Sequence, residues 1–222
     1  MPLRIRHTLI LAAGRGLRMG ALTDVIPKPM APYLNSTLIG AGIDKIRPLF
    51  ERIHVTVGYK GPLLAQHILE RGIDSIFNTE GHGNAWWIFH TLMRNLDEPV
   101  VVLTCDNVTD IDFASLENDY FAKGAPPCML VPVTPVAGVA GDYIFADGDV
   151  VTTLGRERVS EVYCSGIQIL NPARIAALAA DGDSFYDVWN ALIAARQLRV
   201  SSVRPKTWFS IDTIADLEKL AR

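Results

Sequence analysis

Two glycines, two arginines and a lysine crowd the stretch Leu11-Ala-Ala-Gly-Arg-Gly-Leu-Arg-Met19 and the Pro27-Lys28-Pro29 that follows it. These residue types together suit a pocket for phosphates. The apolar run from His7 to Ala12 predicts a buried strand, and the glycine-rich turn leaves it at the carboxyl edge, where open α/β sheets bind ligands. Gly14 and Gly16 let backbone N–H groups approach an anion without a Cβ in the way, while Arg15, Arg18 and Lys28 supply countercharge. The prolines on either side of Lys28 restrict its backbone and give its side chain a fixed direction.

Two familiar phosphate loops fail on spacing. A Walker A loop needs Gly-x-x-x-x-Gly-Lys-Ser/Thr, and here Ala21 and Leu22 follow Gly20. A dinucleotide fingerprint needs a third glycine where Met19 stands, and an acidic residue about 20 positions on, where residues 33 to 38 read Tyr-Leu-Asn-Ser-Thr-Leu.

The elements that must position this loop alternate. Strands are predicted near 7–12, 53–57, 73–77 and 99–104, with helices over 37–49, 61–71 and 84–96, a pattern that implies a parallel sheet with covering helices. Ile39, Ile43, Ile46 and Phe50 form one apolar stripe, with Ser36 as the expected N-cap. Val100-Val-Val-Leu-Thr104 suits a strand buried on both faces, and Asp106 follows it closely. After a helix from Phe113 to Lys123, capped by Asp112, come strands at 128–133, 142–146, 150–154 and 161–170, with a hairpin at Asp147-Gly148. Helices near 172–180 and 185–196, a strand at 198–204 and a last helix from Thr213 complete the layout. At 222 residues the chain can bury a full core, and we read 1–222 as one domain with halves 1–124 and 125–222.

Composition narrows the partners. Lys and Arg number 21 against 24 Asp and Glu, for a net charge of −3, which gives no basic excess of the kind nucleic-acid binding needs. Cys105, Cys128 and Cys164 stand far apart, without a zinc or disulfide spacing. The apolar run after Arg4 and Arg6 is too short for a signal segment or a membrane span, so a cytoplasmic protein with small-molecule partners is expected.

The glycine loop and Pro-Lys-Pro together resemble the signature of the nucleotidyltransferases that make nucleotide sugars, Leu-Ala-x-Gly-x-Gly-x-Arg-Met/Leu with Pro-Lys-Pro about ten residues on. The resemblance implies a Rossmann-like mixed, mainly parallel sheet flanked by helices in three layers, α/β/α, with a smaller mixed-sheet half for the acceptor. It implies transfer of an NMP group from an NTP to a sugar 1-phosphate, releasing pyrophosphate, with Mg²⁺ as cofactor. Leu11, Ala12, Ala13, Gly14, Arg15 and Gly16 would bind the nucleotide, and Arg18 and Lys28 would act on its phosphates. No hexapeptide repeat or second catalytic domain follows, so a transferase module alone is expected, with no oligomeric state implied.

In the family the aspartate after this strand binds the metal, here Asp106 within Leu103-Thr-Cys-Asp-Asn107; the plain alternative is a strand-end cap. The family's second carboxylate falls at Ser210, in Trp208-Phe-Ser-Ile-Asp-Thr213. Asp212, two residues on and on the same face of a strand, is the candidate second ligand, or else the cap of the last helix. Glu80-Gly-His-Gly-Asn84 corresponds to the base-reading loop, with Glu80, Gly83 and Asn84 as contacts and Asn84 also a helix cap. Trp86 and Trp87, inside Ala-Trp-Trp-Ile-Phe, read as packing rather than base stacking. Gly155-Arg-Glu-Arg158 resembles an acceptor-phosphate segment, giving Glu157 and Arg158 that role, against a solvated charge run. No general base is needed, because the attacking phosphate is largely deprotonated near pH 7. Two other readings stay open: a cytidylyltransferase acting on a non-sugar phosphate such as phosphocholine, suggested by Asp212-Thr213, and a nucleotide-binding protein without turnover, suggested by Ser210.

Overall fold

The computed structural model describes residues 3–136, 138–179 and 181–220; the predicted helix at 172–180 thus has its last residue outside the described ones. In chain order the elements are β1 (His7–Leu11), α1 (Ala21–Val25), β2 (Pro32–Tyr33), β3 (Ser36–Thr37), α2 (Leu38–Ile46), β4 (Arg52–Val57), α3 (Gly61–Leu69), β5 (Ser75–Asn78), α4 (Trp86–His90), β6 (Val100–Thr104), β7 (Asn107–Asp110), α5 (Phe113–Ala122), β8 (Cys128–Val133), β9 (Tyr143–Asp147) and β10 (Val150–Gly155). Then follow β11 (Tyr163–Leu170), α6 (Pro172–Leu178), α7 (Phe185–Ala194), β12 (Leu198–Val200), β13 (Thr207–Ser210) and α8 (Ile214–Leu220).

Nine strands form one sheet in the order β5-β4-β1-β6-β11-β8-β12-β10-β9. The strands from β5 to β6 are parallel, and β11 enters antiparallel between β6 and β8. One continuous sheet therefore crosses from the first half of the chain into the second.

Period-two alternation splits the core into two layers. Ile10, Val55, Val101 and Ile169 face one side, where α2, α3 and α5 cover them with Ile39, Ile43, Leu64, Ile68 and Leu116. Leu9, Val100, Val102 and Leu170 face the other, under Trp87 and Ile88 of α4, Ile175 of α6 and Val188 of α7. Val100 to Val102 are buried from both sides, as the composition of the run requires, while Leu103 and Thr104 at its carboxyl end are partly exposed.

Local chemistry corrects several boundaries. Thr37, not Ser36, caps α2, accepting from the Gly40 N–H at 3.1 Å, because the chain stays extended through Thr37 and turns helical only at Leu38. The helix expected over 84–96 breaks at Thr91, whose extended backbone and side chain begin a separate 3₁₀ turn, Leu92–Asn95. The strand expected to reach 204 stops at Val200. No helix among the described residues is long and apolar enough to cross a membrane.

At the amino end of the strands, His54 of β4 lies buried with its Nε2 3.0 Å from Nδ1 of His7 on β1. Burial, then the neighbouring His7, pushes His54 down to about 4, and burial lowers His7 as well. Both rings are thus neutral in the fold. An unfolded histidine takes up a proton near pH 6.5, whereas folded His54 does not until about pH 4, so stability is complete above 6.5 and falls as pH drops between those values. One such group gives a slope of at most about 1.4 kcal/mol per pH unit. Urea midpoints at pH 7 and pH 5 are expected to differ in that direction, and His54→Gln to flatten the slope; an unaltered slope in that variant rules His54 out as its source.

Candidate active site

The loop after β1 opens a cleft of about 550 Å³ at the carboxyl edge of the sheet. Leu11, Ala13, Gly14, Arg15, Gly16, Arg18 and Lys28 line one wall, Thr79 to Asn84 another, and Asp106 and Asp212 the far end. Ala12 differs from expectation: it is buried in the core, and its N–H donates to Thr56 Oγ1 at 3.2 Å. It turns inward because alternation gives every second residue at the end of β1 to the core.

Gly16 adopts φ +68°, and a Cβ there would lie 2.6 Å from Cβ of Lys28. The glycine both permits the left-handed turn and makes room for the lysine stem. Lys28 is consequently buried, 7% exposed. Its Nζ donates to Asp106 Oδ2 at 2.7 Å and to Asp212 Oδ1 at 3.1 Å. Arg18, mostly exposed, reaches the same Asp212 oxygen at 2.8 Å. Burial acts to lower the Lys28 ammonium, but the two carboxylates outweigh it and hold the group above the ordinary lysine value. The lysine is a fixed positive charge, not an acid that gives up its proton.

The neighbouring small sheet explains how residues so far apart meet. β13 pairs antiparallel with β7, Ser210 opposite Asn107, and the Ile211 N–H donates to the Asp106 carbonyl at 2.9 Å. The chain that follows Ser210 is thereby laid beside Asp106. The last helix does not need Asp212 as a cap, since Thr213 and Asp216 bond reciprocally, Thr213 N–H to Asp216 Oδ2 at 2.9 Å and Asp216 N–H to Thr213 Oγ1 at 3.2 Å. This capping-box arrangement leaves the Asp212 carboxylate to Lys28, Arg18 and the Ser210 hydroxyl. Two carboxylates converging on one cation form a hard, all-oxygen donor set of the kind that holds Mg²⁺, and each has a second oxygen that Lys28 does not engage.

The base-loop candidates are anchored from across the fold. Gly83 N–H donates to Asp183 Oδ1 at 2.8 Å and Ala85 N–H to the Asp183 carbonyl at 3.0 Å. Asn84 lines the cleft but does not cap α4, whose N-cap is Ala85; its Oδ1 instead accepts from Phe185 N–H at 2.9 Å, at the start of α7. A Cβ on Gly83 would stand 2.2 Å from the Asp183 carbonyl oxygen. Gly83→Ala must therefore move either the loop or the start of α7. It is expected to cost about 1–3 kcal/mol of stability and to weaken nucleotide binding at least tenfold, read by chemical denaturation and calorimetry. Unchanged affinity would separate the loop from nucleotide binding.

Of the two tryptophans, Trp87 is buried as expected, but Trp86 is half-buried, its ring between His82 at 4.3 Å and His90 at 4.8 Å. Its position on the surface side of a single helical turn denies it the core. Glu157 and Arg158 are exposed and do not line the cleft; the Arg158 guanidinium lies over the Phe145 ring at 4.7 Å, as part of the solvated hairpin end. The arginine of this segment that finds a carboxylate is Arg156, 2.7 Å from Asp142.

A second cavity of about 340 Å³ lies between α2, β6 and β7. Its lining is apolar apart from a few groups such as Lys45, which donates to the Thr109 carbonyl. It lacks the cationic loop that phosphates require.

The chain is 32% identical over 168 residues to the glucose-1-phosphate adenylyltransferase 2 of Vibrio parahaemolyticus, covering 60% of this chain and 39% of that protein. It is 30% identical over 112 residues to the bifunctional protein GlmU of Methanococcus aeolicus, 50% of this chain and 27% of that one. The chain thus spans well under half the length of these relatives. The inositol-1-phosphate CTP transferase from T. maritima superposes with a TM-score of 0.77 at 16% identity over 100% of this chain and 97% of that one. The CTP:phosphocholine cytidylyltransferase of Streptococcus pneumoniae does so with 0.73 at 19% over 96% of each. Both share the fold. Residues 8–120 match the sequence profile of the MobA-like NTP transferase domain, and the chain belongs to that family.

Proposed function

We propose that this protein transfers an NMP group from an NTP to a sugar 1-phosphate, giving an NDP-sugar and pyrophosphate. The observation that carries the reading is the Lys28 ammonium, buried at the end of a glycine- and arginine-lined cleft and held by Asp106 and Asp212 together.

An acceptor phosphate oxygen would form a new bond to the α-phosphorus, and the bond from that phosphorus to the β-bridging oxygen would break, with pyrophosphate leaving. Such transfer relies on position and charge more than on proton movement. Lys28, charged at any ordinary pH, stabilises charge building on the α-phosphate. Arg15 and Arg18, at the mouth of the loop, suit the departing pyrophosphate. Asp106 and Asp212 are the residues that would hold Mg²⁺, which when bound supplies positive charge to the phosphate oxygens. A cytoplasmic location follows from the supply of NTP.

A pyrophosphate-release screen with ATP, CTP, GTP and UTP against a panel of sugar phosphates, with phosphocholine alongside, tests the reading. Turnover with a sugar 1-phosphate supports it, and mass spectrometry of the product names the acceptor. Absence of turnover with every pair overturns it.

A further inference from the structure

We infer that Tyr59 is the positioning residue for Arg15, its ring holding that guanidinium where the β- and γ-phosphates of the nucleotide arrive. The inference rests on the proposed nucleotidyl transfer, in which Lys28 takes the α-phosphate. Tyr59 follows β4 and lines the cleft together with the glycine loop. Arg15 is exposed on that loop, and its Cζ lies over the Tyr59 ring, 5.0 Å from the centroid. At that distance the negative face of the ring attracts a cation.

The cations of the cleft are held in different ways. Lys28 bonds to Asp106 and Asp212, and Arg18 pairs with Asp212. Arg15 forms no ion pair among the described residues and lies over the ring instead. For a phosphate the difference matters. A carboxylate occupies the N–H donors of a guanidinium and offsets its charge, whereas a ring face attracts the charge and leaves those donors for an anion that binds two of them at once. A surface arginine without such support loses its rotamer freedom only when the ligand binds, at a cost to affinity that a ring already in place reduces.

The ring is itself fixed to the loop it serves. Gly58 lets the end of β4 approach the glycine loop, since a Cβ there would stand 2.6 Å from the Ala13 carbonyl oxygen. The Tyr59 N–H donates to that same carbonyl at 3.0 Å, and the Tyr59 hydroxyl donates to the Thr23 carbonyl of α1 at 2.8 Å. Lys60, 5.7 Å from the ring centroid, does not compete for the phosphates, because its Nζ donates to the Asp24 and Val25 carbonyls at 2.7 and 3.0 Å. Loop, ring and α1 thus move as one piece, with Arg15 as its cationic edge.

Inorganic pyrophosphate, the part of the nucleotide that Arg15 is to meet, is the probe. Calorimetry in the presence of Mg²⁺ would compare wild type, Tyr59→Phe, Tyr59→Leu, Arg15→Gln and the chain carrying both Arg15→Gln and Tyr59→Leu. The ligands are pyrophosphate, whichever of ATP, CTP, GTP and UTP binds most tightly, and the matching NMP. Tyr59→Leu is expected to weaken pyrophosphate and NTP about threefold, the worth of a partly exposed contact between a cation and a ring. It should leave NMP affinity unchanged and add no further loss in the Arg15→Gln chain. Tyr59→Phe should keep the affinity and lose only the hydroxyl bond to Thr23, read as a lower melting temperature. Pentafluorophenylalanine in place of Tyr59 keeps the ring's shape while reversing the charge of its face, and it should lose what leucine loses, so the test survives a leucine variant that does not fold. Equal pyrophosphate affinity in the phenylalanine and pentafluorophenylalanine chains overturns the inference. So does an equal loss for NMP, or a loss of the same size with and without Arg15. Coupling between Arg15 and Tyr59 with no turnover toward any acceptor overturns the transfer reading alone, and failure of wild type to bind pyrophosphate or any NTP overturns both.

Discussion

Replacing Lys28 with methionine is expected to lower kcat for pyrophosphate release about a thousandfold, with the fold retained. Methionine keeps an unbranched apolar stem in the channel beneath Gly16, where a Cβ would meet the lysine stem at 2.6 Å, and removes only the ammonium. That ammonium touches Asp106 and Asp212 at once, so its loss acts twice. The charge proposed to meet the α-phosphate disappears, which by analogy with a single preorganised donor costs about 10² to 10³ in kcat. The two carboxylates are also left facing each other, and their repulsion disfavours the ionised pair. Lysine is held above its ordinary value of 10.5, so its contribution to stability is present throughout the working range and is lost only as pH rises through that raised value. Low pH does not mimic the substitution. Lys28→Arg should fall between, since it keeps the charge but must fit a broad planar group where a narrow stem now passes. Initial rates with saturating NTP, alongside near-ultraviolet circular dichroism, give the measurement. A methionine variant within threefold of wild type would remove Lys28 from the chemistry.

What could be read from the sequence was mostly what short-range rules control. The glycine loop, Lys28 between its prolines and Asp106 at a strand end depend on neighbours a few residues away, and all of them reach one cleft. The alternating layout was readable for the same reason, because a strand such as Val100–Thr104 carries its burial in its own composition. Partners distant in the chain left weaker marks. β7 and β13 are only four residues each, and they pair across about a hundred residues; nothing in Asn107-Val-Thr-Asp110 alone calls for Thr207-Trp-Phe-Ser210. Yet this pairing is what brings Asp212 to Lys28. Asn84 looked like a cap because it precedes a helix, but its partner is Phe185, and no local rule anticipates that. Trp86 and Trp87 share one apolar string, and only the packing of α4 on the sheet decides which of them is buried. Glu157 and Arg158 carry a reasonable pattern for phosphate but are exposed and lie outside the cleft lining.

Asp106→Asn and Asp212→Asn should each reduce turnover at least a hundredfold and remove the Mg²⁺-dependent part of NTP affinity, yet the double variant should be little worse than the weaker single one. The non-additivity follows from geometry. Both carboxylates act on the same ammonium and, as proposed, on one cation, so either substitution breaks the unit and the second has little left to remove. An amide keeps the size and one acceptor oxygen while removing the charge, so a loss reports electrostatics rather than a cavity. The position of the second carboxylate offers a sharper trial. Ser210 Oγ lies 3.3 Å from Asp212 Oδ2, and the family resemblance puts an aspartate at the serine's place. Exchanging the two, with Ser210→Asp and Asp212→Ser in one chain, should recover turnover about tenfold or more above Asp212→Ser alone, because β13 is tied to β7 beside Asp106 by the Ser210–Asn107 pair and a carboxylate there would start beside the place that the Asp212 carboxylate now fills. Calorimetry of NTP with and without Mg²⁺ and single-turnover rates supply the readouts. Additive losses in the Asn series, together with no recovery in the exchanged chain, would mean that the two aspartates act on separate partners, and the shared cation would have to be abandoned.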